Sequence, residues 1–180
     1  MAARFKPYDA ARISGRTVFL DTNILIYLFW PTGDSRWENE YAKFLGACIK
    51  RKIPLAVDFL VVSEAANRML RLEFGKARSS AAPGEGPLDF KAFRDSPGGR
   101  QLQSDIFGVL SSRLGHFKVV GKAFSASDIA GFLTVDRLDL VDKAIVSVCR
   151  ELDLVLATND LDFAGTDIDI VSANPAYHDR

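Results

Sequence analysis

The chain has 180 residues, of which 48% are apolar and 26% charged, enough to bury one sizeable core and ordinary for a soluble globular protein. Its 23 basic residues balance 23 acidic ones, which excludes the uniformly basic surface of a general polyanion-coating protein. The balance is uneven: residues 1–120 carry 18 Lys and Arg against 12 Asp and Glu, and residues 121–180 carry 5 against 11. That split suits one acidic site with basic surface elsewhere.

Taken in chain order, the N-terminal segment MAARFKPYDAARISGR is basic but lacks the apolar stretch of a secretory leader. The run TVFL (17–20) reads as a short buried strand, β-branched and aromatic, ending at Asp21. ILIYLFW follows and predicts a short helix, stopped by Pro31; at seven residues it is far too short to span a bilayer. ENEYAKFLGACIK places Tyr41, Phe44, Leu45 and Cys48 at i, i+3, i+4 and i+7, the spacing of an amphipathic helix. IPLAV (53–57) predicts a second strand and VSEAANRMLRLEF (62–74) a third helix. Residues 75–90 are rich in Gly, Pro, Ser and Ala and read as a mobile loop, with helical pattern returning around Leu102, Ile106 and Leu110. FKVV (117–120) reads as a strand. Val141, Ala144, Ile145, Val148, Cys149 and Leu152 give the clearest helix of the chain, and DLVLAT (153–158) and IDIV (168–171) close it as strands. The tail from Ala173 reads as loosely held.

Strands alternating with helices predict a mostly parallel sheet covered on both faces, in a single domain spanning 1–180. Cys48 and Cys149 match no metal or redox spacing and read as small buried hydrophobes; without a disulfide framework, a cytoplasmic protein is expected, with no membrane attachment.

Four segments place carboxylates where parallel strands open into loops. Asp21 ends the first strand, Glu64 starts the helix after the second, Asp142 lies in the first turn of the 141–152 helix, and Asp160 and Asp162 follow the strand ending at Thr158. Most have a plain structural use as well. Asp142 suits a helix N-terminus, Glu64 can pair with Arg68 at i+4, and Asp160 and Asp162 suit a turn. Asp21, between VFL and ILIYLF, does not read as a surface turn. Carboxylates a few ångströms apart disfavour joint ionisation, so such a group needs a cation or must take up protons. Oxygen donors without accompanying His or Cys point to Mg²⁺ or Mn²⁺, and His116 and His178 lie away from the acids in sequence. No GxxxxGK[ST] or GxGxxG stretch is present.

FLDTNILIYLF, VVSEAANRML and LVDKAIVSVCRELDLVLATNDLDF, in that order, resemble the motifs of PIN-domain nucleases, most of all the VapC-type toxins of bacterial toxin–antitoxin pairs. The resemblance covers roughly residues 16–74 and 117–172. It implies a PIN-like three-layer α/β/α sandwich and metal-dependent cleavage of RNA. It implies that Asp21, Glu64, Asp142 and Asp160 hold Mg²⁺ or Mn²⁺, with Asp162 assisting directly or through water. Thr22, Asn23 and Thr158 would orient the acids. A homodimer restrained by a small antitoxin is the implied assembly. The segment 75–116 departs from the compact toxins as an insertion with some helix, whose Lys76, Arg78, Lys91, Arg94 and Arg100 either grip RNA phosphates or are simply solvated. Two other readings stay open: a non-catalytic PIN-like module binding RNA or a protein, and a small-molecule phosphohydrolase, although the DxDxT nucleophile signature is absent.

Overall fold

The computed structural model describes residues 2–80 and 89–178. Six strands form one sheet: β1 (Arg4–Phe5), β2 (Val18–Leu20), β3 (Leu55–Val57), β4 (Lys118–Val119), β5 (Val155–Ala157) and β6 (Ile170–Val171). Their order is β1-β6-β5-β2-β3-β4, and every neighbouring pair is parallel. The helices are α1 (Thr22–Phe29), α2 (Ser35–Lys50), α3 (Phe59–Ser79), α4 (Phe90–Asp95), α5 (Pro97–Leu114), α6 (Ala126–Phe132) and α7 (Leu140–Glu151), with short 3₁₀ turns at Pro7–Ile13, Leu161–Gly165 and Pro175–Tyr177. No helix among the described residues is long and apolar enough to cross a membrane.

The three central strands read VFL, LAV and VLA, and each of their residues is buried. Such runs, apolar on both faces, are what a parallel sheet flanked by helices requires. The largest fully buried side chains, among them Phe19, Leu20, Ile24, Met69, Ile145, Leu156 and Phe163, come from strands and helices alike and make one continuous core. Cys48 and Cys149 belong to it, buried and free, as their surroundings in the sequence suggest. They also sit at equivalent places. Cys48 and Cys149 accept with their carbonyls from Ile53 and Leu154 across the turns that lead from α2 to β3 and from α7 to β5. The intervening Lys52 and Asp153 adopt φ of 54° and 49°, the left-handed conformation that closes a helix C-terminus.

Several sequence expectations change. The strands are shorter than predicted by one to three residues, because the ladder pairs only two or three residues of each strand. Residues 75–79 are the end of α3, not a mobile loop; residues 81–88 lie outside the described residues. Beyond them, α4 and α5 are ordered by core contacts: Phe90 and Phe93 pack on Phe74 at 5.3 and 5.4 Å between ring centroids, and Ile106 and Leu110 are buried. The tail is held through Tyr177. Ala173 N–H donates to the Tyr41 hydroxyl (3.0 Å), Asn174 Nδ2 to the Asn159 carbonyl (3.1 Å), and the buried Tyr177 donates to the Asp160 carbonyl. The loosely held tail is therefore overturned for residues 173–178, because two tyrosine hydroxyls tie it to the loop after β5.

Candidate active site

The site follows from strand register. The chain runs from β2 outward through β3 to β4, then returns to the opposite side of β2 for β5 and β6, so β2 and β5 flank the switch point of the sheet. In such folds the crevice opens at the carboxyl ends of these two strands. Leu20 pairs with Ala157, so the next residues, Asp21 and Thr158, emerge side by side. Thr158 Oγ1 donates to Asp21 Oδ2 at 2.6 Å.

Asp21 has two duties there. It caps α1, accepting from Thr22 N–H at 2.7 Å, and its other oxygen takes Thr158 and the Asn23 amide. Only 5% of the residue is exposed. Burial is the largest influence on its carboxyl and pushes the pKa up to about 6; the hydrogen bonds from Thr158 and Thr22 oppose this, and the charges of Glu64 and Asp160 add to it.

The remaining acids arrive from three other segments. Glu64, one turn into α3, accepts from Thr22 Oγ1 at 2.8 Å and pairs loosely with Arg68 at 3.5 Å. Asp160 begins the 3₁₀ turn after β5, its N–H donating to Thr158 Oγ1 at 3.0 Å. Thr158 thus joins Asp21 to Asp160 through one hydroxyl, and it is wholly buried. Asn23 completes the frame, accepting from Asn159 N–H at 3.0 Å. Asp142 stands at the third position of α7 in a reciprocal cap with Asp139. Burial first, and the adjacent Asp139 charge second, raise its carboxyl to about 7, with further contributions from Asp21 and Asp160.

Asp21, Glu64, Asp142 and Asp160 therefore share one electrostatic neighbourhood, and Thr22, Asn23 and Thr158 touch its members directly. Asp162 stands apart: it pairs with Arg137 at 3.0 Å and reaches the others only through its N–H, which donates to Asp160. Of the basic residues in the 75–116 segment, Lys76 pairs with Glu73 (2.6 Å), Arg94 with Asp95 (2.8 Å), Arg78 lies over the Phe74 ring, and Arg100 donates to the Asp95 carbonyl.

Four supporting residues were not singled out in the sequence. Asp139 was legible, because D-x-x-D ahead of an apolar-periodic run is a capping box. Asp58, buried at the end of β3, caps α3 by accepting from Val61 N–H at 2.8 Å. Lys143, 9% exposed, donates to the carbonyls of Phe132 and Thr134 and pairs with Asp136 at 2.9 Å. The Tyr41 hydroxyl, from α2, reaches the Thr158 carbonyl and the Asn159 side-chain oxygen. Nothing in the sequence signals these last two roles, which depend on distant partners.

The donor set is all oxygen. Among the described residues, no three His, Cys, Asp or Glu side chains converge tightly enough to cage a metal ion. Oxygen donors without His or Cys suit a hard divalent cation rather than zinc.

An all-parallel α/β sheet with a crevice at its switch point belongs to the class of open α/β folds that bind ligands there. The family model described as PIN domain matches residues 18–169, and the chain belongs to that family. PIN domains are a nuclease-type fold, usually dependent on divalent metal. A crystal structure of PAE2754 from Pyrobaculum aerophilum is similar at 18% identity, covering 90% of this chain and 87% of that one, with a TM-score of 0.49. No curated protein matches the chain.

Proposed function

We propose that the protein is an endoribonuclease that hydrolyses phosphodiester bonds with Mg²⁺ or Mn²⁺, and that it serves as the toxin of a toxin–antitoxin pair. The observation that supports the nuclease reading is that Asp21, Glu64, Asp142 and Asp160, from four separate segments, share one electrostatic neighbourhood at the carboxyl ends of β2 and β5. Their carboxylates would hold the cation, and a cation so held lowers the pKa of its water and offsets charge on the phosphate. Thr158, Thr22 and Asn23 fix the oxygens of Asp21 and Glu64 before substrate arrives, so little reorganisation remains. Asp142, half-buried beside Asp139, would join from α7 as one of the carboxylates that hold the cation. Asp162 is assigned to holding the loop through Arg137.

The toxin role rests on the order and spacing of the motifs, and with it go a homodimer and a restraining antitoxin. The test is cleavage of mixed cellular RNA with Mn²⁺, with chelator, and by Asp21→Asn and Asp142→Asn, beside calorimetric titration of Mn²⁺ on the same samples. Growth arrest on expression, lost in Asp142→Asn, tests the toxin role, and light scattering tests the dimer. Equal cleavage by wild type and both variants would refute the assignment. The alternative is a non-catalytic module binding RNA or a protein; metal binding without turnover on any RNA would select it.

A further inference from the structure

Beside the acids lies a cleft of about 470 Å³ that the hydrolytic chemistry does not use. Its walls are one face of α1, one face of α3 and the loop after α1. Asn23 and Tyr27 stand at i and i+4 on α1, with Ile26 beneath them. Arg68 and Arg71 stand at i and i+3 on α3, and Thr32 closes the end. The cleft is continuous with the site: Asn23 donates to Asp21, and Arg68 pairs with Glu64.

The chemistry of these walls is specific. Tyr27 is half-buried and braced from behind by Tyr41, the two rings nearly parallel at 5.8 Å between centroids, so its ring is a fixed platform. Arg71 is exposed, lies over the Phe90 ring at 4.4 Å, and has no carboxylate partner among the described residues. Arg68 has, as a carboxylate partner among the described residues, its loose, half-exposed pair with Glu64. Asp34, on the rim, already caps α2 through Trp37 N–H. A rigid aromatic plane, an apolar floor and two guanidinium groups in one cleft match a base with its flanking phosphates.

We propose that this cleft is a nucleotide subsite: the base next to the cleaved phosphate stacks on Tyr27, and Arg68 and Arg71 hold the adjoining backbone phosphates. The assignment rests on the ribonuclease reading above. It places the substrate strand along the α1–α3 groove, entering the acid crevice past Asn23, and gives the enzyme a way to sense the base there.

The test uses the full chain in chelator with a short fluorescein-labelled single-stranded RNA of mixed sequence, read by anisotropy, and the same variants with Mn²⁺ in cleavage assays. Arg71→Ala, on an exposed position, keeps the unfolding temperature and weakens RNA binding about tenfold or more. Tyr27→Leu does the same, and Tyr27→Phe, which retains the ring, recovers most of that loss. In both weakened variants KM rises more than kcat falls. If Tyr27→Leu does not fold, Arg71→Ala decides. Binding and cleavage unchanged in Arg71→Ala and Tyr27→Leu, with wild type active, would overturn the cleft assignment alone. Wild type that neither binds nor cuts RNA would overturn the ribonuclease reading and this assignment together. Inorganic polyphosphate competing as well as RNA, phosphate for phosphate, would show that no base is bound and would also overturn it.

Discussion

Asp21 and Asp142 are the two residues on which the site's electrostatics turn. Both have folded pKa values, about 6 and about 7, above the ordinary value of 3.8. Between those values the folded chain holds protons that the unfolded chain has released. Their contribution to stability is therefore complete below about 3.8 and is lost as pH rises through 6 to 7. The paired carboxylates with lowered pKa, such as Asp95, Asp167 and Asp169, titrate below this window and do not obscure it. We expect the metal-free protein to lose thermal stability between pH 5 and pH 7.5. Asp142→Asn keeps an oxygen for the Asp139 N–H while removing the charge. It should flatten that slope and raise stability at pH 7.5 by about 1 kcal/mol, with cleavage abolished. Unfolding curves at several pH values check this; an unchanged slope would mean that Asp142 titrates normally. Thr158 tests the other half of the site. Thr158→Val removes the hydroxyl that donates to Asp21 and accepts from the Asp160 N–H, leaving Asp21 Oδ2 with Asn23 alone and the Asp160 N–H without its partner. It should lower stability by about 1–3 kcal/mol and activity by about 10- to 100-fold, read from denaturant unfolding and initial rates.

Elements deliver these residues. Each acid beyond a strand is also a helix cap: Asp21 starts α1, and Asp58 starts α3 in the same position after β3. The plain structural uses read for Asp142 and Asp160, a helix N-terminus and a turn, are both realised, and both residues also stand within the acidic neighbourhood. The central strands and α2, α3 and α7 were legible because burial on two faces or one stripe writes itself into apolar spacing. β1 was not legible, at two residues long, nor was α6, whose ASDIAGF has no apolar period and stands mostly on its Ser125–Asp128 capping box. The glycine- and serine-rich stretch misled because α3 continues through Gly75 to Ser79 on the strength of Phe74 packing, which composition cannot show. Lys143 is the element-scale anchor. Its ammonium gathers the Phe132 and Thr134 carbonyls and Asp136, folding the α6–α7 connection back onto α7 beside Asp142. Lys143→Met should lower stability by about 1–3 kcal/mol, through carbonyls left unpaired. It should also make residues 132–137 the first point of proteolytic cleavage. Limited proteolysis with mass spectrometry would show it, and a cut elsewhere with unchanged stability would refute it.

Across the whole molecule, the four converging acids lie at positions 21, 64, 142 and 160, and the unfolded chain does not hold them together. A cation bound by them therefore binds the folded state alone and stabilises it by mass action, by about 2.7 kcal/mol at a hundredfold excess over Kd. The zero net charge of the chain cannot supply this effect; only the local arrangement can, which is why composition gave the partner's sign no weight while motif order did. Protons compete for the same oxygens. As pH falls through 7 and then 6, Asp142 and Asp21 take them up, and the stabilisation by Mn²⁺ should shrink and vanish near pH 5. The measurement is the unfolding temperature with and without Mn²⁺ across that range, for wild type and Asp142→Asn. A rise at pH 7.5 that fades with acid in wild type and is small throughout in Asp142→Asn places the cation in the crevice between β2 and β5. An equal rise in both proteins, independent of pH, would place it elsewhere and leave the raised carboxyls to proton chemistry alone.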